Sequence, residues 1–75
     1  MFGPKLERLE RKIKEINAIK GSYRGEIEEA THKLKDRRIS QDEFERIRLR
    51  NEERMERLSE KIRDLRTQIH LIRRD

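Results

Sequence analysis

Glu29-Ala-Thr-His32 has the Glu-x-x-His spacing that sets a carboxylate and an imidazole on one face of a helix, as in the di-metal sites of helical bundles. Those sites need a second inward-facing copy, and the chain has one, at outward positions of the register described below. The other histidine, His70, falls roughly 36 Å from His32 along the expected hairpin, at ~1.5 Å rise per residue. Gly21-Ser22-Tyr23-Arg24-Gly25 has neither the spacing nor the Lys-Ser/Thr ending of a phosphate loop. The neighbouring acids Glu28-Glu29 and Glu52-Glu53 read as solvated faces, not as an acid/base pair in a cleft. With no cysteine, thiolate chemistry, disulfides and Cys-ligated zinc fall away together. The residues therefore name no catalytic, cofactor-binding or metal site, and the expectation is a protein that is not an enzyme and has no small-molecule substrate.

What remains chemically distinctive is basic charge. The chain carries 21 Lys and Arg against 16 Asp and Glu, a formal net charge of +5. Lys33, Lys35, Arg37, Arg38, Arg46, Arg48 and Arg50 cluster in the middle of the sequence and are the candidate contacts for a partner or for nucleic acid. Asp36, Asp42, Glu43 and Glu45 are interspersed among them, the pattern of a salt-bridged surface more than of a dedicated phosphate groove. No outward aromatic stands beside these arginines to stack a base.

The elements that would position these residues are helices. With Leu6 at a, the a positions are Leu6, Ile13, Lys20, Ile27, Leu34, Gln41, Arg48, Met55, Ile62 and Ile69. The d positions are Phe2, Leu9, Ile16, Tyr23, Ala30, Arg37, Phe44, Asn51, Leu58, Leu65 and Ile72. Apolar residues at this spacing mark helices that bury a narrow stripe against a partner helix. Nearly half the chain is charged and 31% is hydrophobic, too little for a compact core but enough for such a stripe. Lys20 and Asn51 break the stripe and read as register controls, the lysine carrying its charge outward along its stem.

Near the midpoint, three signals predict a turn. Ser40-Gln41-Asp42-Glu43 fits the S-x-x-E capping box, in which the Ser and Glu side chains satisfy each other's backbone donors. Ile39 and Phe44 have hydrophobic-staple spacing around it. Cations precede this point and acids follow it, complementing a helix C-terminus and the next N-terminus. The expected domain is thus a single all-α antiparallel coiled-coil hairpin over residues 1–75, with helix 1 about 4–38, a turn at 38–41 and helix 2 about 41–74. The alternative is one continuous coiled-coil helix, roughly 110 Å long at ~1.5 Å per residue. As a parallel dimer it would stack Arg37 on Arg37 and Arg48 on Arg48 in the seam, which is unfavourable. Folding back at residue 39 instead sets Leu9 against Ile69, Ile13 against Leu65, Ile16 against Ile62 and Tyr23 against Met55. Glu10–Arg73 (or Arg66), Arg24–Glu52 and Arg38–Glu45 are the expected cross-helix ion pairs.

Arg38-Ile39-Ser40-Gln41-Asp42-Glu43-Phe44 resembles the turn of short helical hairpins of the SHOCT type, which read roughly Gly-x-Ile-Ser/Thr-x-Glu-Glu-Phe/Tyr. The likeness covers under a tenth of the chain and lacks the glycine, and the arms here are far longer. It implies a small oligomerisation or tethering module.

No stretch approaches the ~20 apolar residues of a membrane span, and the start lacks a signal-peptide pattern, so a cytoplasmic setting is expected. The scarcity of Asn and Gln beside so much charge is the composition of many thermophile proteins. A lone two-helix hairpin buries little, so the expected partner is a second hairpin, as a homodimer, or a larger protein. The expected function is a non-catalytic protein-interaction or oligomerisation module. A small basic RNA- or DNA-binding accessory protein, using the arginines near the turn, is the alternative.

Overall fold

A computed structural model describes residues 3–74. Two helices, α1 (Gly3–Lys35) and α2 (Gln41–Arg73), are the only regular elements among them, and they pack against each other as an antiparallel hairpin. Thirty-three residues at ~1.5 Å rise make each arm about 50 Å long, in keeping with overall extents of 56 × 15 × 11 Å. The chain is thus folded back on itself and is not one extended rod. Neither helix is long and apolar enough to cross a membrane.

The heptad stripe is the seam. Every a and d residue within the two helices is buried or half-buried except Gln41, which sits at the first position of α2. Phe2, the first d residue, lies outside the described residues. Ile16, Ala30, Ile62 and Ile69 form the fully buried apolar core, and the expected neighbours Tyr23 and Met55 are half-buried, as are Leu34 and Phe44. The guanidinium of Arg54, beside Met55, stacks 5.3 Å from the centroid of the Tyr23 ring, which fixes the expected register independently of the apolar residues.

The turn differs from expectation in where α1 stops. The helix ends at Lys35, not near Arg38, because two bonds close it in a Schellman arrangement. The Arg38 N–H donates to the Lys33 carbonyl at 2.8 Å, and the Arg37 N–H to the Leu34 carbonyl at 3.0 Å. This closure requires a left-handed residue between them, and Arg37 takes that conformation with φ of 59°. Glycine is the usual occupant, because a side chain there costs about 1–2 kcal/mol. Position 37 is also where the SHOCT-type pattern carries its glycine. The turn lacks that glycine in composition but not in geometry.

Ser40 caps α2 as expected: its backbone is extended (φ −79°, ψ 163°), and its Oγ accepts from the Glu43 N–H at 3.1 Å. The reciprocal half of the capping box takes another form. The Glu43 carboxylate accepts from the Ser40 hydroxyl at 3.4 Å, not from the Ser40 backbone N–H. Ile39 and Phe44 are half-buried on either side of the cap. His32, Lys33 and Lys35 occupy the last turn of α1, and Asp42 and Glu43 the first turn of α2, so both helix dipoles are complemented.

Two substitutions at the turn should act in opposite directions. Arg37→Gly is expected to raise the unfolding free energy by about 1 kcal/mol by relieving the left-handed residue. Ser40→Ala should lower it by about 1 kcal/mol through loss of the cap. Urea titration followed by circular dichroism measures both. A loss of stability in Arg37→Gly would mean that the arginine side chain holds the turn.

Candidate functional site

Of the seven basic residues nearest the turn, Lys33 and Arg48 are paired with acids on their own helix, and Arg46 and Arg50 line one shallow groove with Glu43 and Ile47. Lys33 pairs with Glu29 one turn earlier at 3.4 Å. Arg48 is held in a fork, its two terminal nitrogens each 2.6 Å from a carboxylate, Glu45 on one side and Glu52 on the other. Arg46 donates from Nε to the Asp42 carbonyl at 3.5 Å. Arg37 and Arg38 are exposed and supply the backbone bonds of the α1 terminus. Lys35 is exposed at the last position of α1. Arg50 and Lys33 line a shallow groove beside Ala30, Ile39 and Ile47, but Glu26 and Glu29 line it too. There two cations meet two acids, and the groove is close to neutral.

The Arg48 fork also accounts for the two cross-helix pairs that do not form. Glu52 and Glu45, the expected partners of Arg24 and Arg38, are both taken by an arginine on their own helix, at i,i+4 and i,i+3. The remaining expected pair is present: Arg73 reaches Glu10 at 2.8 Å and ties the open end of the hairpin. Donation from Arg48 holds the Glu45 carboxyl below its ordinary range, with attraction to the same guanidinium and a bond from Gln41 assisting against partial desolvation. Arg48 is correspondingly raised, by its bond to Glu45 first and by that to Glu52 second.

Besides Arg48, the seam holds Lys20 and Asn51 as polar residues, and these two behave differently. Asn51 is fully buried at 0% exposure, and neither its amide nitrogen nor its oxygen has a hydrogen-bond partner. An amide buried without partners costs about 1–3 kcal/mol. Lys20 is only half-buried and opens into a groove of about 430 Å³ between the helices. Asn17, Ser59, Ile62, Arg63 and Arg66 line the rest of it. This groove holds three cations and no acid, and it lies away from the turn, where the sequence reading placed the basic residues. Heptad geometry carried the signal: Asn17, Ser59 and Arg66 are e residues, Lys20 is an a residue, and e faces e in an antiparallel hairpin.

His32 and His70 are both exposed, and no group of three or more His, Asp or Glu residues among the described ones could hold a metal ion. No protein-family model, curated protein or solved structure matches the chain.

Asn51→Leu is expected to raise the unfolding free energy by about 1–3 kcal/mol, since an unpartnered amide is exchanged for an apolar side chain. A fall in the urea midpoint would show that the amide is satisfied in solution.

The Glu45–Arg48 pair should leave a trace in the acid limb of stability. A carboxyl whose folded pKa is depressed contributes stability that is present above its unfolded value, about 4.3, and lost as pH falls through the folded value. Glu45→Gln should therefore melt below the wild type at neutral pH, and the gap should narrow as the pH falls through the carboxyl's folded value. Thermal melts across this range measure it; a constant gap would mean that the carboxylate does not titrate with folding.

Proposed function

We propose that the chain is a non-catalytic helical-hairpin module that works by protein association, and that its first partner is a second copy of itself. One observation carries this reading: the seam is too thin to cover its own apolar residues. Among the described residues only four apolar side chains are fully buried, whereas Ile19, Leu49 and Leu71 stand 45%, 53% and 53% exposed. Most of the remaining seam residues, including Ile13, Ile27, Leu34, Phe44, Met55 and Leu65, stay half-exposed at the flanks. Hydrophobic burial is the main favourable term in association, at about 25 cal/mol per Å² of apolar surface.

Two of the three exposed apolar residues share one flank. In the heptad register Ile19 is a g position and Leu71 a c position, and the half-buried Ile47 is another g. Position g faces g across an antiparallel hairpin, whereas Leu49 at b lies on the other flank. The same flank exposes part of Ile16 and Leu65 in a groove with Lys12, Lys61, Asp64 and Gln68. A second hairpin laid on this flank would turn a two-helix seam into a four-helix core, the usual answer to too little apolar material per chain. The mixed charges along it, Lys12 and Lys61 beside Asp64, suit pairing with a copy of itself better than pairing with a uniformly charged surface.

The RNA- or DNA-binding reading through the turn has less support, because acids on the same helix already neutralise Lys33 and Arg48. A cytoplasmic setting belongs to the same proposal and is supported by the absence of cysteine.

Sedimentation equilibrium at micromolar concentration is expected to give twice the 9.3 kDa chain mass. Ile19→Asp combined with Leu71→Asp should return it to the single-chain mass with helicity retained. A wild-type chain that sediments as a monomer would overturn self-association.

A further inference from the structure

The flank opposite the proposed dimer surface carries the acid-free groove, and its central residue poses a physical problem. Lys20 occupies a seam position, where a cation is partly desolvated and is normally offset by a carboxylate. Glu7, Glu10 and Glu56 share this flank by register, but Glu10 is bound by Arg73 and Glu56 by Arg63. Neither Lys20 nor Arg66 has an ion-pair partner among the described residues, and the side chains that share the groove with Lys20 add two more positive charges. The chain sets a half-buried Lys20 beside two exposed guanidiniums, and the one carboxylate paired in this group, Glu56, is on Arg63.

The neutral groups around these cations are donors. Asn17 precedes Lys20 by three residues on α1, and Ser59 precedes Arg63 by four on α2, spacings that set each pair side by side on its helix. Arg63 and Arg66, also three apart, bring two planar guanidinium forks to the same wall. Arg63 holds Glu56 at 3.3 Å through one terminal nitrogen, with both side chains about two-thirds exposed, and its remaining donors are uncommitted. Gly21, next to Lys20, has nothing within 4 Å of where a Cβ would stand, so packing within the hairpin does not require a glycine there. Its small size leaves the approach to Lys20 open. Ile62, from the core, forms the floor.

We propose that this groove binds phosphate groups, with the Arg63 and Arg66 guanidiniums and the Lys20 ammonium as the charged donors and Asn17 and Ser59 as neutral ones. Tetrahedral, multiply charged phosphate matches convergent forks and a point cation better than a single carboxylate does. On the same flank by register, Lys14 and Arg24 lie to either side of Lys20 along α1 and extend the positive strip beyond one phosphate. The ligand is therefore a chain of phosphates, carried either by a nucleic-acid backbone or by free oligophosphate.

Calorimetric titration of the full chain with tripolyphosphate, and anisotropy of a labelled single-stranded RNA oligonucleotide, test this at low and physiological salt. Binding that weakens as salt rises is expected for at least one probe. Lys20→Gln with Arg66→Gln should weaken it by about tenfold or more, since each lost charged hydrogen bond contributes about 1.5–3 kcal/mol. Arg37→Gln with Arg38→Gln removes the same charge at the turn and should change binding by less than about twofold. Ser59→Glu, which supplies the missing carboxylate and leaves every basic side chain in place, should also weaken it by about tenfold or more; circular dichroism confirms that each variant folds. RNA bound much more tightly than tripolyphosphate identifies a nucleic-acid backbone as the source, and the reverse identifies free oligophosphate. Equal losses from the groove and turn variants would reduce the effect to net charge and overturn the site, as would no binding of either probe. Neither result bears on self-association through the opposite flank.

Discussion

Two antiparallel helices share a seam only one or two side chains deep, so each layer of the hairpin is decided by whichever residues face each other across it. There is no second layer to compensate a poor choice. Where Ile16 and Ile62 are both buried, the layer is sealed. Where Ala30 takes a place in the seam, it adds little volume, and the apolar Ile39 and Ile47 line the groove beside it. The flanks of such a seam stay wet whatever its composition, which is why half-buried residues outnumber buried ones along both helices. The scarcity of buried side chains and the presence of open grooves on both sides are one fact, and the two proposed surfaces are its consequences.

The seam was legible in the sequence because a heptad repeat is a direct image of it. The a and d residues from Leu6 to Ile72 can be listed without coordinates, and nearly all are covered. The turn was legible in part. Ser40 declares the start of α2 by its own chemistry, since a hydroxyl before a helical run accepts an orphan backbone donor. The end of α1 makes no such declaration. Arginine stands where glycine would announce a left-handed residue, and only the bonds back to Lys33 and Leu34 reveal the closure three residues before the expected point. Propensity reads what a residue prefers. The closing bonds here impose what it does not.

Charge was the least legible level. Seven basic residues close together in sequence look like a patch, but on a helix the partners that matter are three and four residues away. Glu45 and Glu52 flank Arg48 at those distances and neutralise it, and Glu29 does the same for Lys33. Lys20 lies far in sequence from Arg63 and Arg66, and only the antiparallel fold brings it into one groove with them. Sequence proximity pointed to the first group and hid the second.

Besides the acid-paired Arg48, Lys20 and Asn51 are polar occupants of the seam, and the difference between them bears on structure and on function. A neutral amide can be enclosed at a cost of about 1–3 kcal/mol, and Asn51 is enclosed completely, with no route to solvent for a ligand to follow. Its role is confined to the hairpin, where a polar group in the seam penalises other registers. A cation cannot be treated in that way, because complete burial without a counter-charge costs far more than such a thin seam can offset. Around Lys20 the layer is accordingly open, with Ser59 and Asn17 where bulky apolar residues would have closed it. If register control were the only requirement at position 20, a second asparagine would meet it without gathering three positive charges. The open layer, a Lys20 with no carboxylate beside it in the groove and the neighbouring guanidiniums are together what the proposed phosphate site needs of the chain.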